Sequence, residues 1–250
     1  MDLKPHRIGY WLTPKIEDEE LFRRQLKEVC EIYKKAIHWH TQNIYVVSLD
    51  EMTGIQALER IAPSLPMKPR KIELREFEYI RHGTLSLIAS FMVATGEVIP
   101  SIGPTRTEAD LVAHLHTVIQ RAPEDQWIFI MDQLNTHKSE GAVRLVAEYS
   151  KLNQDLGNKG KSGVLENMKT REAFLTDPEH QIRFVYVPKH TSWLNQIERW
   201  FSILVRKLLK RAHFNSLREL KERVLKFIEF FNQTMAKPFK WTYLGKPLQG

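Results

Sequence analysis

Two short apolar runs, each closed by an aspartate, constrain this chain more than any other feature. Ile44-Tyr45-Val46-Val47-Ser48-Leu49 runs into Asp50, and Trp127-Ile128-Phe129-Ile130-Met131 runs into Asp132. Runs of that length, rich in β-branched and aromatic residues, predict buried strands of an α/β sheet. Each aspartate then stands where a strand emerges into a loop, and strand ends of open α/β sheets are where ligands and metals gather. A third acid, Glu198, lies in Pro188-Lys189-His190-Thr191-Ser192-Trp193-Leu194-Asn195-Gln196-Ile197-Glu198-Arg199-Trp200-Phe201. There Trp193, Ile197, Trp200, Leu204 and Leu208 form an apolar stripe at helical spacing, widened by Leu194, Phe201 and Val205. Thr191, Asn195, Glu198, Ser202 and Arg206 form a polar stripe beside it, so Glu198 is expected on a polar seam next to packed aromatics.

Two Asp and one Glu are hard oxygen donors that suit magnesium or manganese rather than zinc. Unit charges about 4 Å apart interact by roughly 4 kcal/mol at an effective dielectric near 20. Brought together, three carboxylates must therefore take up a proton or a divalent cation. A pair of such ions stabilises the attacking and leaving oxygens of an in-line displacement at phosphorus. The residues thus point to a metal-dependent nuclease or phosphoryl transferase.

The charge balance agrees. Lys and Arg total 37 against 30 Asp and Glu, a formal net charge of +7 over 250 residues, which favours a polyanionic partner. The chain is long enough for one substantial core. No apolar run is long enough to cross a bilayer, and Met1–Arg7 has no signal-peptide core. The single cysteine, Cys30, excludes an internal disulfide. The expected location is the cytoplasm.

Along the chain, residues 17–39 read as a helix and 44–49 as the first strand. Pro63, Pro66 and Pro69 argue for an irregular, basic stretch over 52–73. Further strands are expected at 73–82 and 84–94, the second ending at Thr95-Gly96. Thr105 with Glu108 has the pattern of a capping box before a helix bearing Leu111, Leu115, Val118 and Ile119. A helix over 138–149 follows the Asp132 loop. Residues 151–181, with Gly157, Gly160, Gly163, Lys159 and Lys161, read as a solvated insertion with a short helix near 165–175, before a last strand at 182–187. The final amphipathic helix starts at Ser216, with Glu219 completing a second capping box.

Three motifs occur in order: Asp50-Glu51-Met52-Thr53-Gly54, Asp132-x-x-Asn135-x-His137, and His190-Thr191-Ser192-Trp193-Leu194-Asn195-x-x-Glu198. Together they resemble the DDE catalytic domain of bacterial insertion-sequence transposases related to the mariner transposases, over roughly residues 40–245. The resemblance implies an RNase H-like α/β fold, a mixed five-stranded sheet flanked by helices. It implies Asp50, Asp132 and Glu198 as catalytic metal ligands for Mg2+ or Mn2+, with two ions. It also implies double-stranded DNA as partner, both transposon ends and target, a homodimer when active, and a bacterial, nucleoid-associated setting. Residues 1–40 would be an N-terminal linker or helical segment, and 41–245 the catalytic domain. The interval from Asp132 to Glu198 is longer than such domains usually carry, and the insertion at 151–181 accounts for it. Only about 40 residues precede the first strand, too few for the recognition module such enzymes carry.

Four further motif residues are support candidates. His137 and His190 suit binding phosphate, orienting a carboxylate, or hydrogen-bonding the loop backbone. Asn135 is expected to cap the helix after Asp132, and Asn195 to hold the Glu198 carboxylate or a metal-bound water. Trp193 and Trp200 are expected in the core. Glu51 should point away from Asp50 along an extended backbone. Arg206, Lys207, Lys210, Arg211, Lys221 and Lys226 are expected on a solvated face that can track a DNA backbone. Two competing readings are another RNase H-like nuclease, such as a junction resolvase or RNA–DNA hybrid nuclease, and a non-catalytic DNA-binding or regulatory fragment.

Overall fold

The computed structural model describes residues 18–74, 76–210 and 212–243. Arg211 and the ends of the chain lie outside the described residues. Five strands, β1 (Ile44–Arg60), β2 (Tyr79–Met92), β3 (Val98–Gly103), β4 (Gln126–Met131) and β5 (Ile182–Tyr186), form one sheet in the order β3-β2-β1-β4-β5. β1 is antiparallel to β2, and β2 to β3, whereas β4 and β5 run parallel to β1. The helices are α1 (Glu19–His40), α2 (Glu108–Ile119), α3 (Glu140–Tyr149), α4 (Met168–Leu175), α5 (Gln196–Leu204) and α6 (Leu217–Thr234). The mixed five-stranded sheet flanked by helices is the architecture the resemblance implies.

Alternation along the strands divides the core in two, because successive side chains leave a strand on opposite faces. Val46, Ala89, Ile130 and Val185 face one layer, where α1, α5 and α6 supply Val29, Tyr33, Ile197, Trp200, Val224 and Phe231. Val47, Leu49, Phe129 and Phe184 face the other, where α2, α3 and α4 supply Leu111, Leu115, Val143, Val146 and Phe174. β1 and β4 are buried on both sides, which is why they read as continuous apolar runs. The α1 helix packs in the same core as the strands.

Several local expectations change. β1 does not stop at Asp50. It continues to Arg60 against β2, with register shifts between Met52 and Ile55 and between Gln56 and Leu58. Gly54 sits in the first shift at φ 66°, a left-handed value that glycine adopts without a Cβ clash. The strands expected at 73–82 and 84–94 are one strand, β2. The stretch before it is a narrow arm closed by the pairs Leu65–Leu74 and Lys68–Lys71, with Met67, Ile72 and Phe77 in solvent. β3 has no counterpart in the sequence reading, because Pro100 and Gly103 mask it.

The caps shift as well. At α2 the capping box is Thr107 with Asp110, and Thr105 donates from its hydroxyl to the same Asp110 carboxylate at 2.7 Å. At α6 Ser216 accepts from Glu219 N–H, but the Glu219 carboxylate accepts from Asn215 N–H at 2.8 Å, one residue before the cap. In the insertion the short helix expected near 165–175 is α4 and residues 158–163 are exposed, but the segment is also anchored to the body. Arg171, on α4, is buried and donates to the main-chain oxygens of Lys138 at 2.7 Å and Leu165 at 3.1 Å. The helix expected from Thr191 begins at Gln196 after a 3-10 turn over Ser192–Leu194. That turn rotates Trp193 out of the stripe. It is 53% exposed and meets Tyr243 edge to face, while Trp200 is fully buried. Beyond Leu204 the helix widens to a π segment, Val205–Leu209, with no buried residue.

Candidate active site

The parallel register of β1 and β4 sets the first two acids side by side. Ser48 pairs with Ile130, and the same register carried two residues on puts Asp50 next to Asp132. Asp50 is thus at the point where β1 leaves β4, yet still paired with β2 at Ala89. Its side chain is on the α5 face of the sheet, as is that of Ser48. Asp132 follows the last residue of β4.

Asn195 fastens Asp50 to α5. This buried residue donates from Nδ2 to Leu49 O at 2.8 Å and to Asp50 Oδ2 at 3.3 Å. Its Oδ1 accepts from the Ser48 hydroxyl, and the Ile197 N–H donates to that hydroxyl at 2.8 Å. Tyr33 completes the seam from α1, donating to Leu194 O at 2.9 Å. The turn that presents α5 is therefore locked to β1 directly. Asn195 serves the carboxylate of Asp50, and the expected contact with Glu198 is not its role. Glu198 follows in the first turn of α5, half-buried.

The charges of the three acids act on one another. Burial pushes the Asp50 carboxyl up to about 7, and the charges of Asp132, Glu198 and Glu51 add to the rise against a hydrogen bond from Glu51 N–H. Glu198 is also raised, by burial and then by the charge of Asp132. Asp132 goes the other way. Burial works to raise it, but the hydrogen bond and charge of His137, the Leu134 N–H and the charge of Arg106 together hold it below the ordinary value. Two carboxyls that resist ionisation beside one that is ionised make a site short of positive charge. The donor set, oxygen throughout, suits a hard divalent cation. Among the described residues no three His, Cys, Asp or Glu are gathered into a group that could hold an ion as they stand.

The other motif residues divide. His137 is fully buried, with Nδ1 at 2.8 Å from Asp132 Oδ1 and 3.1 Å from Asp132 O. Its Nε2 is 3.1 Å from Glu51 Oε1. Burial opposes the imidazolium, but the two carboxylates outweigh it and hold His137 above its ordinary range. Glu51 does leave β1 on the face opposite Asp50, as alternation requires. It does not reach solvent, however: its side chain is 2% exposed beneath the turn that carries His137. Sequence reasoning missed this residue, and its adjacency to Asp50 in a paired strand was the available signal. Asn135 is exposed in a 3-10 turn, Asn135–Lys138, with no side-chain cap, and Ser139 caps α3 instead. His190 is exposed at φ 62° in the turn before Thr191. Of the acids nearer in sequence, Glu172 is paired with Lys138 at 2.7 Å, and Glu166 and Glu179 are exposed. Arg206, Lys207, Lys210, Lys221 and Lys226 are exposed.

No curated protein matches the chain in sequence. Solved structures resemble it at low identity. The chain aligns with the crystal structure of the Mos1 mariner paired end complex with Mn at a TM-score of 0.51 and 13% identity, over 89% of this chain and 59% of that one. The crystal structure of the catalytic domain of Mos1 mariner transposase aligns at a TM-score of 0.47 and 14% identity, over 88% and 85% of the two chains. The chain thus spans less than two thirds of the protein in the paired end complex, and at this identity the likeness shows the fold, which is RNase H-like. Residues 45–221, from within β1 to the first turns of α6, match the DDE superfamily endonuclease model. That span holds both strand-borne aspartates and the α5 glutamate, and on it rests the assignment that this chain belongs to the DDE superfamily endonuclease family.

Proposed function

We propose that the chain is the catalytic part of a transposase that cuts DNA and transfers the cut strand, using Asp50, Asp132 and Glu198 as metal ligands. One observation carries the reading: the β1–β4 register sets Asp50 beside Asp132, and the Asn195 lock ties Asp50 to α5, whose first turn carries Glu198, so that the charges of Asp132 and Glu198 raise the Asp50 carboxyl. Such mutual repulsion is relieved by a divalent cation. Magnesium or manganese, as two ions, would polarise the attacking water or 3′-hydroxyl and stabilise the departing oxyanion. The chain's own residues prepare that chemistry. Asn195 and Glu51 N–H hold the two oxygens of Asp50. Glu198 rides on a helix anchored by Ile197 and Trp200, and such packing is what keeps a ligand within about 0.5 Å of its place.

The substrate in this reading is duplex DNA, transposon ends and target, attracted by the net charge of +7 and by Arg206, Lys207, Lys221 and Lys226 along its backbone. Residues 41–245 would act as the catalytic domain. A homodimer would pair two DNA ends, and Met67, Ile72 and Phe77 on the exposed arm offer apolar surface for such contact. The reading places the protein with a bacterial insertion sequence at the nucleoid. No helix among the described residues is long and apolar enough to cross a membrane.

The test is nicking of supercoiled DNA by the purified chain with Mg2+ or Mn2+, alongside Asp132→Asn. The variant is nearly isosteric and is expected to melt like wild type while losing cleavage by orders of magnitude. A folded Asp132→Asn that cleaves normally overturns the reading. Joining of a cut 3′ end to target DNA separates a transposase from a resolvase or hybrid nuclease, and an inert wild type leaves the non-catalytic fragment.

A further inference from the structure

Resting on that reading, we propose that Glu51 is a positioning residue that acts through His137 to present one oxygen of Asp132 to the metal. The geometry is a chain of three groups. Asp132 Oδ1 takes both hydrogen bonds that hold the carboxylate, from Leu134 N–H at 3.0 Å and from His137 Nδ1 at 2.8 Å. That leaves Oδ2 as the oxygen offered to the metal in this reading.

The protons on the ring follow from the neighbours. Nδ1 lies between the Asp132 carboxylate and Asp132 O at 3.1 Å. A main-chain oxygen can only accept, so Nδ1 must carry its proton. The opposite nitrogen, Nε2, meets Glu51 Oε1 at 3.1 Å. The ring is fully buried and the Glu51 side chain is 2% exposed, so water does not substitute for this contact. The backbone O of His137 accepts from Tyr186 Oη at 2.8 Å, which fixes the turn from the β5 side. An imidazole held at both nitrogens can rotate neither about χ2 nor away from Asp132. A ligating carboxylate oriented by a partner of this kind is a recurring arrangement in metal sites, and loss of such a partner typically weakens metal binding about 10- to 100-fold.

Two adjacent residues of one strand thus serve the same site from opposite faces of the sheet. Asp50 meets the metal on the α5 face. Glu51, on the α2–α3 face, reaches the second ligand through a ring that belongs to the turn after β4.

The experiment measures Mn2+ binding without DNA, by electron paramagnetic resonance of the free ion, together with thermal melting. Glu51→Leu fills a similar volume without an acceptor and is expected to weaken Mn2+ binding about 10- to 100-fold while remaining folded. Glu51→Gln keeps an acceptor oxygen for Nε2 and is expected to restore binding to within about threefold of wild type, a rescue on the scale of one retained hydrogen bond. Wild-type affinity in folded Glu51→Leu, or no rescue in folded Glu51→Gln, overturns the proposal. If Glu51→Leu does not fold, His137→Asn decides. It keeps a donor toward Asp132 but cannot reach Glu51, and wild-type Mn2+ affinity in it also overturns the proposal. Asp132→Asn separates the two levels: if it binds Mn2+ as wild type does, the metal-ligand reading itself fails, whatever Glu51 does.

Discussion

Asp50 should favour the folded state more in mild acid than at neutral pH, in a range where an ordinary carboxylate is indifferent to pH. The Asp50 carboxyl has an ordinary value of 3.8 in the unfolded chain and about 7 in the fold. Between those values the native state holds a proton that the unfolded chain releases. The penalty for ionising Asp50 is absent below the unfolded value and grows until pH passes the folded one. The full gap corresponds to about 4 kcal/mol at roughly 1.4 kcal/mol per pH unit. Glu198, also raised, acts in the same direction. Asp132 is lowered, so its stabilisation is lost only as pH falls below the ordinary carboxylate range. His137 is raised, so its stabilisation is complete below the ordinary imidazole value and declines above it. His114 is lowered to about 4 by burial, so it adds stability as pH rises toward 6.5 and opposes Asp50 in the window from about pH 5 to about 6.5; there the Asp50 effect is read as the difference between wild type and Asp50→Asn. Across that range the Asp50 contribution to the loss should be about 2 kcal/mol, or roughly 4–8 °C in Tm for a chain of this size.

The assay is thermal melting in chelator at several pH values, for wild type and Asp50→Asn. Across the window the wild-type Tm is expected to fall by that amount relative to the Tm of Asp50→Asn, because His114 and Glu198 contribute to both proteins. Millimolar Mg2+ is expected to raise Tm more at pH 7.5 than at pH 5, because protons compete with the ion for the same oxygens. A Tm difference between wild type and Asp50→Asn that stays constant across the window refutes the reasoning.

Three other outcomes follow from the structure. Glu198→Gln should lose metal-dependent cleavage by orders of magnitude at unchanged Tm, whereas Glu166→Gln and Glu179→Gln, both exposed, should cleave as wild type does in the same assay. Asn195→Ala strips Ser48, Leu49 O and Asp50 of a shared partner; urea unfolding should show a loss of about 1–3 kcal/mol, with weaker Mn2+ binding. Arg171→Leu removes the buried guanidinium that ties α4 to Lys138 O and Leu165 O. Limited proteolysis should then cut within 151–181, near Lys159 or Lys161, at protease levels that leave wild type intact.

The site was more legible in the sequence than the sheet around it. Asp50, Asp132 and Glu198 stand out because strands buried on both faces write themselves as apolar runs, and because the α5 stripe runs through Ile197, Trp200 and Leu204. Those patterns reflect burial, which side-chain type records directly. What pairing decides is not recorded that way. β1 continues to Arg60 through polar residues because β2 supplies its hydrogen bonds, and the register shift at Gly54 reads locally as a turn. β3 carries Pro100 and ends at Gly103, so its alternation is too weak to see. Glu51 and Asn195 were misjudged for a related reason. Their partners, His137 and Asp50, are distant in sequence, and no local rule states that a charged side chain will be covered from another element. Trp193 was misplaced because a single 3-10 turn over Ser192–Leu194 shifts the helical phase.

The lock between Asn195 and β1 also has a consequence in time. Ser48, Leu49 and Asp50 each bond a residue 145 to 147 positions away, and Tyr33 reaches Leu194 across 161 positions. During synthesis the buried aspartate of β1 waits for a cover that is made only about 145 residues later. Contacts of such long range form slowly, because loop closure must precede them. A partly made chain therefore holds two acids without the helix that brings the third. If the proposed cutting requires all three, a copy that lacks α5 does not cut, and competence arrives only when α5 docks on β1.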